Sequence, residues 1–135
     1  MWRIPLFELN YDGEEALAVQ QVLDGGWITM GPKTKEFEGE FSRAAVDGVK
    51  CTAVSSCTAA LHISLLSAGI GPGDEVIIPA LTFVADANVV TITGADVVLA
   101  DCVSLDDWNL CPSDVASKIT EKTKLIKSSK STSKD

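Results

Sequence analysis

Histidine and tyrosine each occur once in this 135-residue sequence, and basic side chains number 11 against 19 acidic. The formal net charge of −8 argues against a nucleic-acid footprint, which needs clustered Lys and Arg to neutralise phosphates, and against a basic helix drawn to a membrane surface. No apolar run approaches the roughly 18 to 20 residues that would cross a bilayer. The start, MWRIPLFEL, lacks the apolar core of about 7 to 15 residues and the small-residue cleavage site of a secretory signal, so a soluble, cytoplasmic protein is expected. Cys51, Cys57, Cys102 and Cys111 are separated by 6, 45 and 9 positions. That spacing forms neither a CxxC redox pair nor paired zinc knuckles, and the thiols are expected to be reduced, small core residues. His62 follows Cys57 by five residues, about 140° around a helix, so the two do not converge as a nucleophile and base. Asp106-Asp107 has no ligand spacing around it and reads as a solvated turn.

What remains is a chain rich enough in apolar residues, at 46%, to bury a core; a domain of this size buries roughly two thirds of its unfolded surface. Asp12 followed by Glu15 is a capping-box-like start to a periodic stretch ending at Leu23, before Gly25-Gly26. WITMGP follows, and Pro32 suits the first turn of a second amphipathic stretch carrying Phe37, Phe41, Ala44 and Ala45. From Lys50 the rhythm changes. Short β-type runs at Cys51–Ser55, Glu75–Pro79 and Asp96–Ala100, with a fourth starting at Lys124–Ile126, alternate with helix-length segments. Such alternation predicts a mostly parallel sheet covered by helices on both faces. Gly71-Pro-Gly-Asp74 is a turn signal before the second run. The last nine residues, KSSKSTSKD, contain no apolar side chain and are expected to be disordered.

In an open parallel sheet, ligands bind at the carboxyl ends of the strands. The stretch VSSCTAALH, from Val54 to His62, lies at such a corner. If a helix begins near Cys57, its first N–H groups have no intrahelical partners and carry the positive end of the macrodipole, a cradle for phosphate. Ser56 or Thr58 serves equally as a plain helix cap. PALTFVADAN repeats the logic, bringing Thr82 and Phe83 to the same edge, where an aromatic ring either stacks on a planar ligand or packs in the core. Asp101, ending DVVLAD, is a third candidate for that edge.

Taken together, GWITMGP (Gly26 to Pro32), KEFEGEF (Lys35 to Phe41), VSSCTAALH, GIGPGDEVIIPALTFVADAN (Gly69 to Asn88) and GADVVLADC (Gly94 to Cys102) resemble the N-terminal part of the DegT/DnrJ/EryC1/StrS family of pyridoxal-phosphate (PLP) sugar aminotransferases. The likeness runs in order from about Ile4 to Ile126. It implies an α/β fold, an incomplete PLP-transferase large domain of the aspartate aminotransferase-like type (fold type I), with a mostly parallel sheet and flanking helices. Residues 1–48 are then an N-terminal arm with helices, 49–126 the first part of the PLP-binding domain, and 127–135 a polar tail.

The resemblance also assigns roles. The family's SGTAAL-type corner holds the cofactor phosphate, here Ser56, Cys57, Thr58 and Ala59. Cys57 replaces the more usual Gly, so the backbone there must not need a positive φ. Phe83 matches the aromatic that stacks on the pyridine ring. Trp27, Thr29, Gly31 and Thr82 match positions near the substrate. The activity implied for the complete enzyme is transamination from a donor such as glutamate to a nucleotide-linked keto-sugar, in a homodimer, with no nucleic acid or membrane partner. Family members are more than twice as long, and none of the nine lysines here stands in the context of their Schiff-base lysine. The expectation is therefore an N-terminal fragment that is inactive alone. Three other readings stay open: a non-catalytic interaction or dimerisation module, half of a two-chain enzyme, and a relative of the family's dehydratases.

Overall fold

Asp12 begins the first helix as the sequence suggests. In the computed structural model, which describes residues 8–45 and 48–128, the Asp12 side chain accepts from the Glu14 N–H at 2.8 Å and the Asp12 N–H donates to Glu15 at 2.8 Å, closing a capping box. The helix, α1, spans Gly13–Asp24. Gly26, at φ +71°, turns the chain away. The second helix, α2, spans Pro32–Ala45, and the rings of Phe37 and Phe41, one turn apart, meet at a tilt of 40° with centroids 5.8 Å apart. Neither helix has a buried residue among those described.

The chain divides into two compact units, 1–53 and 54–135. At the end of the first, the expected strand at Cys51–Ser55 does not form. The segment is extended but joins no ladder among the described residues, and the Ala53 N–H donates instead to the Glu38 carboxylate at 2.8 Å. The ladders that do form among the described residues join β-type runs later in the chain, in one three-stranded sheet. No described cysteine is buried either: Cys57 is exposed and the other three are half-buried.

The second unit is a three-layer α/β arrangement. Its elements are α3 (Cys57–Ser67), β1 (Glu75–Pro79), α4 (Ala85–Thr93), β2 (Asp96–Ala100), α5 (Pro112–Lys118) and β3 (Thr123–Ile126). The strands are parallel, in the order β2-β1-β3. Val76 and Ile78 of β1 point to one face and pack with Leu65 of α3 and Val89 and Val90 of α4. Ile77 points to the other face and packs with Ala100 and with Val115 of α5. This is the period-two alternation of a strand buried on both sides, which reads in sequence as an unbroken apolar run. The β1–α4–β2 and β2–α5–β3 crossovers run in opposite directions over opposite faces, so both have the same hand, as parallel βαβ units require.

The β3 ladder continues one residue beyond the apolar run, because the Lys127 N–H donates to Ile77 O at 2.9 Å. Residues 129–135 of the expected tail, like residues 1–7 of the N-terminal segment, lie outside the described residues.

Candidate functional site

Each helix that follows a parallel strand begins at the carboxyl edge of the sheet. α4 therefore starts there, and α3, whose far end leads through Gly71–Asp74 into the start of β1, starts toward the same edge. The loop after β1, the loop after β2, the end of β3 and the first turn of α3 are thus gathered on one side of the second unit.

At the α3 start, Ser56 is the N-cap, with φ −164° and ψ 162°, and its hydroxyl accepts from the Ala59 N–H at 3.1 Å. Ala59 has thereby spent its donor on the cap. Among the described residues the Cys57 and Thr58 N–H groups have no partner; both residues are exposed. No non-glycine residue among those described has a positive φ, so Cys57 occupies its place without backbone strain. This corner combines two orphan donors, a hydroxyl and the positive helix end, which is the donor set an anionic phosphate requires.

At the carboxyl edge as well, Phe83 is 75% exposed on the loop between β1 and α4, so its ring is a surface platform and not a core residue. The preceding Thr82 donates its hydroxyl to the Asp86 carboxylate. Asp86 is 3% exposed, on the first turn of α4, and Lys127 at the end of β3 reaches its Oδ2 at 2.5 Å. Burial pushes the Asp86 carboxyl up, but the hydrogen bonds from Lys127 and Thr82 and the charge of Lys127 together outweigh it, leaving the group below the ordinary aspartate range. A depressed carboxylate pKa stabilises the fold fully above the unfolded value, about 3.9, and that contribution is lost as pH falls through the folded value. The urea midpoint of the protein should therefore drop as the pH is taken below about 4, and Asp86→Asn should flatten that part of the curve; superimposable pH profiles would refute the coupling.

Asp101 lies at the same edge but serves the loop after β2. Its N–H donates to Asp114 at 2.6 Å and its carboxylate accepts from the Cys102 N–H at 2.7 Å. Ser104 and Asp107 close a turn through the Asp106, Asp107 and Asn109 N–H groups. No three potential metal ligands come together among the described residues. Cys111 is the thiol held below its ordinary range, by hydrogen bonding with Ser113 and then with the Asp114 backbone. His62 is half-buried on α3.

Trp27, Thr29 and Gly31 belong to the first unit, where they line a groove of about 350 Å³ together with Gln21, Pro32 and Lys33. The indole of Trp27 donates to Met30 O at 3.1 Å and lies directly on Gly31, where a Cβ would sit 2.2 Å from the ring nitrogen. Any side chain at 31 would displace that ring from its present position.

Against known families, residues 10–129 match the DegT/DnrJ/EryC1/StrS aminotransferase family. The chain belongs to that family. A Streptococcus pneumoniae protein designated a sugar aminotransferase, solved in PLP, PMP and apo forms, is similar with 38% identity and a TM-score of 0.84 over 93% of this chain and 31% of its own. An aminotransferase from Psychrobacter cryohalolentis has 34% identity and a TM-score of 0.80, over 87% of this chain and 30% of its own. A 3-amino-5-hydroxybenzoic acid synthase has 35% identity and a TM-score of 0.76, over 87% and 30%. The chain thus spans about a third of the length of these solved relatives. The α/β fold is that of the PLP-transferases, and the family is PLP-dependent.

Sequence reasoning reached Ser56 as one of two candidate caps and brought Phe83 to this edge, either as a platform or as a core residue. It missed the Asp86–Lys127 pair. Thr82 and Asp86 stand at i and i+4, a signal present in the sequence, whereas Lys127, 41 positions further on, lay in what read as a solvated tail.

Proposed function

We propose that this chain contributes the phosphate cradle and ring platform of a PLP-dependent aminotransferase that passes an amino group from a donor such as glutamate to a nucleotide-linked keto-sugar. The observation that supports the reading most is the pair of unpartnered N–H groups at Cys57 and Thr58, at the sheet edge that also carries the exposed Phe83. When bound, PLP supplies the electron sink for such chemistry. In this reading Cys57 and Thr58 donate to the phosphate, Ser56 and Ala59 fix the turn that aims them, and Phe83 lies against the pyridine ring and excludes water from it. Trp27, Thr29, Gly31 and Thr82 shape the substrate side. The exposed apolar side chains of the first unit, such as Leu17, Leu23, Phe37 and Phe41, suit a homodimer, and the compartment is the cytoplasm. Residues 1–48 serve as arm and helices, and the first part of the cofactor domain begins at residue 49 and runs through β3 to Lys127.

PLP and its phosphate-free analogue pyridoxal separate the two halves of the site. By equilibrium dialysis PLP should bind at least about tenfold more tightly than pyridoxal, and Thr58→Ala, which keeps the N–H but removes the hydroxyl that also donates to the phosphate, should remove about tenfold of PLP affinity, as loss of a hydrogen bond to a charged group does. Inorganic phosphate should compete. Equal binding of PLP and pyridoxal, or no saturable binding at all, would refute the cradle.

A further inference from the structure

The most deeply buried polar side chain among the described residues is not at the phosphate corner. It is Asp86, 3% exposed, and it holds the ring-bearing loop from two directions. Its Oδ2 accepts from the Thr82 hydroxyl, and its own N–H donates to Phe83 O at 3.0 Å. Thr82 and Phe83 are therefore each tied to the same residue, one through a side chain and one through the backbone. A third tie comes from across the sheet edge, where Lys127 Nζ lies 2.5 Å from the same oxygen. Lys127 is itself fixed, because its N–H extends the β3 ladder onto Ile77 O at 2.9 Å.

A loop carrying a 75% exposed aromatic ring would ordinarily be free to sample several positions, since few apolar contacts hold it. A buried carboxylate with a fixed cation and a hydroxyl on it is costly to rearrange, because any loosening leaves a charge desolvated without its partner. The loop therefore inherits the rigidity of the ion pair. Leu81 and Val84, which flank the tied residues, are 53% and 63% exposed, so packing does not supply an alternative anchor.

We infer that Asp86, clamped by Lys127, is a positioning residue that fixes the Thr82–Phe83 loop and so holds the Phe83 ring at the carboxyl edge of the sheet, ready for a planar ligand. The inference rests on the cofactor reading above for the nature of that ligand, but the anchoring itself does not need the ligand to be present. Pre-setting the ring lowers the ordering cost that binding would otherwise carry.

Two readouts on the intact chain test it. The first needs no ligand. Chymotrypsin cleavage after Phe83, followed by mass spectrometry against cleavage after Trp108 as an internal reference, should be accelerated about tenfold by Asp86→Asn and by Thr82→Val, the size expected for losing a hydrogen bond to a charged group. Thr82→Ser, which keeps the hydroxyl, should restore slow cleavage. The second readout is PLP affinity. Asp86→Asn should weaken it about tenfold in the presence of Phe83 and leave it unchanged in a Phe83→Ala background, since a residue that acts by placing the ring has nothing to place once the ring is gone.

Should the unaltered chain bind no PLP, the cofactor reading falls and cleavage alone judges the anchor: faster cutting in Asp86→Asn upholds it, and equal cutting overturns it. Equal loss of affinity with and without the ring would also overturn it, because Asp86 would then be acting through the general fold. If Asp86→Asn does not fold, the Thr82→Val and Thr82→Ser pair decides by the same two measurements.

Discussion

Replacing Ile77 by Ala should cost about 2 to 5 kcal/mol, the range for emptying a fully buried aliphatic position. Ile77 is 0% exposed and is the β1 side chain that meets Ala100 and Val115 across the α5 face. Its neighbours belong to two other elements, β2 and α5, and β2 is held in register with β1 by the ladder, so they cannot simply collapse into the space. A domain of this size carries roughly 5 to 10 kcal/mol in total, so the loss takes a large share of it. The urea midpoint should fall with the slope unchanged, whereas Ile77→Val should cost only about 0.5 to 1.5 kcal/mol. If Ile77→Ala unfolds at the same urea concentration as the unaltered chain, β1 is not the centre of its stability.

Gly94→Val is expected to be the second most damaging change, at about 2 to 4 kcal/mol in sum, from forcing a branched side chain into the left-handed region and from overpacking. Gly94 ends α4 at φ +84° and donates its N–H to Thr91 O at 3.0 Å, turning the chain into β2. A Cβ there would lie 2.9 Å from Pro72 Cγ, an atom of a rigid ring that cannot swing aside. The two costs separate in a cycle: Pro72→Ala should relieve the clash in Gly94→Ala but leave the backbone strain. Full recovery in the double variant would mean that the φ angle contributes nothing, contrary to this account.

The first of these predictions falls on a part of the fold that was legible in the sequence, whereas the Gly94 cap and its contact with Pro72 were not read there. The runs EVIIP and DVVLA are apolar, short and bounded by turn residues, and β1 and β2 form over the same residues. The capping box at Asp12 and the Pro32 start are local chemistry, decided within four residues, and they stand as read. The same holds for the α3 corner, because a helix start always leaves orphan donors whatever surrounds it. What sequence could not resolve was which donor is spent: Ser56 caps Ala59, which leaves Cys57 and Thr58.

The misread elements depended on partners distant in the chain. CTAVS has strand composition, yet it joins none of the three strands β2, β1 and β3, and the Ala53 N–H is taken by the Glu38 carboxylate instead. Composition states only that a segment would suit a ladder, not that one is available. Lys127 shows the converse. Its neighbours are polar and it read as tail, but the carboxylate that fixes it lies on α4, 41 positions earlier.

The sequence by itself therefore determined the local conformations and the alternation of strand and helix, because both are written in spacings of a few residues, and its motif stretches carried the resemblance to the family. Only the tertiary structure decided the strand order, the faces on which α4 and α5 lie, the unpaired Cys51–Ser55 segment and the Asp86–Lys127 clasp. Those follow from packing and from burial of charge, which depend on which distant residues become neighbours and have no local signature to read.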